Sequence, residues 1–216
     1  MQLDVKVAQL LCSRLCHDLV GPASAVNAGL EMIDDDPTDP AGPLDLMGNS
    51  AAQMTRRLAF FRVAFGLAEG AKGAANAGEI HDLAAGLLQG GKVSLNWMDA
   101  EGNKAARILS AEIGKVCLNL ILAASECLPR GGTIDIHLTD IPEGTGIAVE
   151  AGGQSARVSE DMVAALAPDA GPGQLNVHNV HVYFAQLLAR SAGAEIEYQV
   201  DPSGNVVQIA ALFPHR

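Results

Sequence analysis

The chain has 216 residues, 49% of them apolar, which suffices for one large or two small domains with a sizeable core. Its net charge of −11 is spread out: residues 1–70 hold nine acids and five bases, residues 71–216 sixteen and nine. With no basic stripe, neither nucleic-acid binding nor attachment to an anionic membrane surface is expected. No apolar run is long enough to span a bilayer, and the N-terminus lacks the basic-then-apolar order of a signal peptide, so a cytoplasmic protein is expected. The four cysteines, Cys12, Cys16, Cys117 and Cys127, complete no zinc-site spacing and read as buried thiols in a reducing compartment.

Residues 3–33 read as one helix, because Ala8, Leu11, Leu15, Leu19, Pro22, Val26, Leu30 and Ile33 recur at steps of three and four. The acids and prolines of DDDPTDPAGP, residues 34–43, stop it. A second helix follows, in which Met47, Ala51, Met54, Leu58, Phe61 and Phe65 form a heptad seam. Two helices joined by a short turn make an antiparallel hairpin. Such a hairpin encloses no core alone, so either a second copy completes a four-helix bundle or the hairpin packs on the rest of its own chain.

Residues 69–78, EGAKGAANAG, read as a linker that divides the chain into a hairpin (1–70) and a mixed unit (71–216). In the second unit helices are expected over 79–90, 110–128, 160–167 and 176–192. Strands are expected at KVSLNW (92–97), GGTIDIHL (131–138), GIAVEA (146–151), AEIEYQV (194–200) and NVVQIAALF (205–213), the last two joined by DPSG. The order implies an α/β sandwich with helices on one face of a mixed sheet. Trp97 reads as core, and His178 and His181 as surface or capping residues.

One histidine stands off the pattern. His17 lies two residues from both Leu15 and Leu19, roughly 200° around from the apolar stripe at about 100° per residue. It therefore points outward. Spacing places Arg14, Gly21, Ser24, Ala25 and Ala28 on the face beside it, a ridge of small residues downstream of His17. Gly21 costs roughly 1 kcal/mol against Ala in a helix, and Pro22 removes a helical hydrogen bond. Close approach of another protein's backbone is a physical reason to keep both. Asp18 can accept a hydrogen bond from one ring nitrogen of His17, leaving the other lone pair free to attack phosphorus. Arg56, Arg57 and Arg62 on the second helix are candidates for meeting an acidic partner, or else form a solvated face.

LCHDLVGPASAVNAGLEMI, residues 15–33, resembles the H-box of sensor histidine kinases, and with RVAFG at 62–66 is most similar to ChpT-type histidine phosphotransferases of alphaproteobacteria. The resemblance implies a dimeric four-helix bundle followed by a histidine-kinase ATPase-like α/β sandwich. It implies that His17 accepts a phosphoryl group beside Asp18, and that Pro22 is the H-box proline. The implied partners are receiver domains: a CckA-like hybrid kinase as donor, and CtrA-like and CpdR-like response regulators as acceptors. No cofactor of its own is implied, with Mg²⁺ expected from the receiver.

The nucleotide-site positions depart from the kinase pattern. In VCLNLILAASECLPRGG (116–132), which resembles the N-box, Ala123 replaces the magnesium-holding Asn, and Glu126 stands at a basic position. Ala151 replaces the adenine-reading Asp, and Asn179-Val180-His181 replaces the Gly-Leu-Gly phosphate loop. Phosphate cradling needs backbone N–H groups and Mg²⁺ needs oxygen ligands, so ATP binding is not expected. The rival readings are an ATP-dependent kinase with an unusual site and a dimeric scaffold or kinase inhibitor that never carries phosphate.

Overall fold

The computed structural model describes residues 4–66, 74–99 and 108–215. Helix α1 spans Val5–Asp35, capped by the Asp4 carboxylate, which accepts the Lys6 N–H at 2.7 Å. After it, Asp36 accepts both the N–H and the hydroxyl of Thr38, at 3.0 and 2.6 Å, and these bonds hold its carboxyl below the ordinary range. Helix α2 spans Ala41–Ala64 and so begins inside the stretch expected to be turn. Pro40 and Pro43 permit this, because the first turn of a helix has no use for the missing N–H groups. The two helices approach closely near the turn: a Cβ on Gly29 would lie 2.4 Å from Met47 Cγ and 3.1 Å from the Pro43 carbonyl oxygen.

The hairpin packs on its own chain at its base. Val7 and Leu11 of α1 and Phe60, Phe61 and Ala64 of α2 are buried in one core with the residues that follow. Phe65 stacks on Phe61 at 5.1 Å and meets Phe184 edge-on at 6.3 Å. The wholly buried Asn119 donates to the Ala64 carbonyl at 3.1 Å. Away from the base, the seam positions Ala51 and Leu58 are exposed, and Met47 and Met54 are half-buried.

Of the expected linker, residues 69–73 lie outside the described residues. Residues 74–76 form β1, which pairs antiparallel with β3 (Ile108–Ser110), a small ladder the sequence pattern did not announce. Helix α3 (Ala77–Leu88) follows β1 at once, capped by Asn76. The main sheet contains β2 (Val93–Asp99), β4 (Gly132–Ile141), β5 (Gly144–Gly152), β6 (Ile196–Val200) and β7 (Val206–Pro214), in the order β2-β4-β5-β7-β6. Only β2 and β4 run parallel. Alternation buries Ile134, Ile136 and Leu138 of β4, Ile147, Val149 and Ala151 of β5, and Val207, Ile209, Ala211 and Phe213 of β7.

Helices α4 (Ala111–Glu126), α5 (Glu160–Leu166) and α6 (Val180–Ser191) complete the mixed unit. Helix α4 is buried continuously from Val116 to Ala124, as suits an element enclosed all round. Gly132 opens β4 at φ +151°, where a Cβ would stand 2.2 Å from the Gly152 carbonyl oxygen. The expected architecture of helical hairpin plus α/β sandwich is therefore present, with Trp97 in the core. No helix among the described residues is long and apolar enough to cross a membrane.

Two of the four thiols differ from expectation. Cys117 and Cys127 are buried, and burial pushes both up to about 12. Cys12 and Cys16 are exposed, because each follows a stripe leucine and is turned about 100° away from it.

The shared core at the hairpin base generates a prediction. Phe61→Ala should lower the stability of the whole chain by about 3–5 kcal/mol. Urea unfolding followed by fluorescence of Trp97, in the distant sheet, reads this directly. An unchanged Trp97 transition would show that hairpin and sandwich do not fold as one.

Candidate functional site

The His17 side chain is 62% exposed, as its position off the apolar stripe requires; of that stripe Leu11 and Pro22 are buried and Leu15 and Leu19 half-buried. Its Nδ1 lies 3.0 Å from Asp18 Oδ1. An ionised carboxylate only accepts hydrogen bonds, so Nδ1 carries the proton and Nε2 of the neutral ring keeps its lone pair.

Asp18 is itself held. Its Oδ2 accepts Arg14 Nε at 2.9 Å. Its main-chain carbonyl would ordinarily bond the N–H four residues on, but that residue is Pro22, which has none. The guanidinium of Arg57, from α2, donates to this carbonyl instead. Pro22 and Arg57 therefore act together: one frees an acceptor in mid-helix and the other fills it.

Arg14 links this cluster to the sandwich. Its second and third nitrogens donate to Glu126 Oε1 at 2.5 Å, at the end of α4, and to the Val177 carbonyl at 3.3 Å, ahead of α6. Burial alone would lower the Arg14 pKa, but the Glu126 and Asp18 carboxylates raise it above its ordinary value. Burial raises Glu126 against the pull of Arg14. Beyond Glu126, His181 Nε2 stands 3.6 Å from Oε2, too far for a hydrogen bond, and neither ring nitrogen of this wholly buried residue has a partner. Burial, then the charges of Arg14 and His178, push His181 well below the ordinary imidazole range, so it is neutral. His178 is exposed, with its ring centroid 6.0 Å from that of His17 and the planes at 82°.

The other expected contact residues divide. Gly21, Ser24 and Ala28 are exposed on the His17 ridge and Ala25 is half-buried beside them. Arg62 is exposed. Arg56 turns to α3, donating to the Gly86 carbonyl at 3.2 Å, and Arg57 is committed to Asp18. Arg14 corrects its expected place on an open ridge: it is only 7% exposed, because α4 and the segment before α6 pack against α1 there. His181 is likewise core rather than surface. Sequence reasoning missed Glu126 as the partner of Arg14 and His178 as the neighbour of His17. Their signal was a carboxylate at an expected basic position and a histidine immediately before the lost phosphate loop.

At the positions that resemble a nucleotide site, Ala123, Ala151 and His181 are all buried. Among the described residues no group of three or more His, Cys, Asp or Glu is placed to hold a metal ion.

Known proteins resemble this arrangement. A family model for the histidine phosphotransferase C-terminal domain matches residues 77–204. The protein phosphotransferase ChpT of Brucella abortus (strain 2308) is 30% identical over 187 residues, 87% of each chain. A solved bacterial phosphotransferase superposes with a TM-score of 0.81 at 26% identity, over 98% of both chains. The Acinetobacter baumannii histidine kinase AdeS shares the fold at a TM-score of 0.50 and 13% identity, over 92% of this chain and 98% of that one.

The neutral His181 sets a pH dependence. As pH falls below about 6.5 the unfolded chain protonates this imidazole while the folded chain does not. The unfolded state then binds more protons, so stability falls with falling pH, by at most about 1.4 kcal/mol per pH unit. Urea midpoints compared at pH 8 and pH 5.5 should fall less in His181→Gln than in the parent. An equal fall in both would place a proton on His181 in the fold.

Proposed function

This chain belongs to the histidine phosphotransferase family, and on that premise we propose that it is a phosphorelay intermediate, accepting a phosphoryl group on His17 from a receiver-domain aspartate and passing it to the aspartate of a second receiver. The observation that carries this reading is the exposed His17 ring whose Nδ1 is held by Asp18. Nε2 attacks the phosphorus of the receiver's acyl phosphate in line. The P–N bond forms as the P–O bond breaks, and the electron pair stays on the receiver's carboxylate. The ring, still protonated at Nδ1, becomes positively charged, and Asp18 is placed to offset that charge. Transfer to the second receiver runs the same exchange in reverse. Such chemistry is largely positioning and charge neutralisation. Mg²⁺ is expected from the acidic pocket of the receiver.

The receiver's docking surface on this reading is the small-residue ridge of Gly21, Ser24, Ala25 and Ala28, with the exposed Arg62 of α2 as a further candidate contact. Arg14, Arg56 and Arg57 serve it indirectly, through the contacts they already make. A self-phosphorylating kinase is disfavoured by Ala123, which offers Mg²⁺ no oxygen ligand, by Ala151, which offers adenine no hydrogen-bond acceptor, and by the His181 side chain buried where a glycine loop would turn. A homodimer is supported by the row of Leu44 and the seam residues Ala51 and Leu58, which lies exposed on α2 at seven-residue spacing. A second copy would cover it and complete a four-helix bundle.

Incubation with a phosphorylated receiver should place acid-labile label on His17 and none on His17→Ala. Asp18→Asn keeps an acceptor for Nδ1 but loses the offsetting charge, and should slow transfer by about 10- to 100-fold. Label on His17 from ATP and Mg²⁺ without a receiver would instead make the chain a kinase. The double variant Leu44→Glu/Leu58→Glu should sediment as a monomer where the parent sediments as a dimer, and a monomeric parent would refute the bundle.

A further inference from the structure

The segment before α6 is more firmly anchored than a connection needs to be. Asn179 is wholly buried: its side chain donates to the carbonyls of Asp161 and Gln174 at 3.1 and 3.2 Å and accepts the Asn176 N–H at 2.8 Å. The Asn176 side chain donates to the Asp161 carboxylate at 2.8 Å and accepts the N–H groups of His178 and Asn179, at 2.8 and 3.2 Å. Arg14 reaches from α1 to the Val177 carbonyl. These bonds fix the backbone on both sides of His178 and tie it to the helix that carries His17. Between them His178 holds its ring edge-on to His17, exposed and with no ring hydrogen bond among the described residues. A stability role explains the anchors but not the imidazole, which is exposed and makes no ring hydrogen bond among the described residues.

We propose that His178 is a phosphoryl-contacting residue, a hydrogen-bond donor supplied by the sandwich to the phosphoryl group as it joins and leaves His17. This rests on the reading of His17 as the phosphoryl carrier. An imidazole has a ring N–H in either protonation state, so the donor is always available. In the loose transition state of phosphoryl transfer the charge is spread over three equatorial oxygens, and a pre-placed donor stabilises it without reorganisation. The 6.0 Å between ring centroids is a span that a phosphoryl group carried on one ring can bridge to the other. The sandwich would then take part in the transfer through the segment where the kinase-like pattern has its phosphate loop.

Phosphoramidate provides a test that needs no cognate receiver. His17 Nε2 attacks its phosphorus, the new P–N bond forms, and the old one breaks with its electron pair leaving on ammonia. The full-length parent, His178→Ala, His178→Gln and His17→Ala are compared by ³¹P NMR for growth of the phosphohistidine signal, alongside their melting temperatures. His178→Ala should form phosphohistidine about tenfold more slowly at an unchanged melting temperature, since loss of one exposed donor costs less than loss of a buried one. His178→Gln, whose amide also donates, should recover most of that rate. A parental rate in His178→Ala overturns the inference and leaves the carrier reading standing. Slow transfer in both variants, with no rescue by Gln, makes the residue structural and overturns it too. If neither phosphoramidate nor a phosphorylated receiver labels the parent, or if label persists in His17→Ala, the carrier reading falls and takes this inference with it.

Discussion

The two oxygens of the Asp18 carboxylate serve two masters, and the site follows from that division. Oδ1 takes the His17 Nδ1–H and fixes which nitrogen is free. Oδ2 takes Arg14, which is held in turn by Glu126 and by the Val177 carbonyl. An aspartate beside a histidine on a solvated helix would swing freely and set no tautomer. Here the buried guanidinium removes that freedom, so the orientation of an exposed ring depends on a residue that is only 7% exposed. The same guanidinium spans α1, α4 and the segment before α6. The hairpin's chemistry is therefore braced by the sandwich rather than merely followed by it.

A second constraint lies in the helix backbone. A proline in mid-helix costs about 3 kcal/mol, largely through a lost hydrogen bond and a clash with the carbonyl four residues back. Here that carbonyl belongs to Asp18, and Arg57 from the neighbouring helix supplies the missing donor. The Asp18 side chain and main chain are thus both anchored by arginines, one from its own helix and one from α2. Pro22, a defect by helix propensity, gives α2 a grip on the residue that orients His17.

Much of this was legible from residue spacing. The phase of His17 against Leu15 and Leu19 set its exposure: both leucines are half-buried and the ring between them stands out, although Ala8 and Leu30 of the same stripe are exposed. The same reasoning placed Arg14 on an open ridge and failed. Helical phase tells which way a side chain leaves its own helix but not whether a third element waits there, and the partners of Arg14 lie 112 and 163 residues away. Cys12 and Cys16 are the converse case: both belong to an apolar run, yet helical phase turns them outward. His181 was invisible for another reason: a neutral, unpartnered imidazole in a core carries no sequence mark. The short β1–β3 ladder escaped because three-residue strands are below the length at which alternation can be read. The strands and helices of the sandwich were readable because they alternate, or are apolar throughout, over longer spans.

The central claim is that Asp18 holds His17 with the proton on Nδ1 and the lone pair on Nε2. Nitrogen-15 NMR of the two ring nitrogens of His17, at a pH where the ring is neutral, measures this directly. The parent should show a protonated Nδ1 and an unprotonated Nε2, and Asp18→Ala should lose that preference. A parent ring protonated at Nε2, or a tautomer unmoved by removing Asp18, would contradict the account.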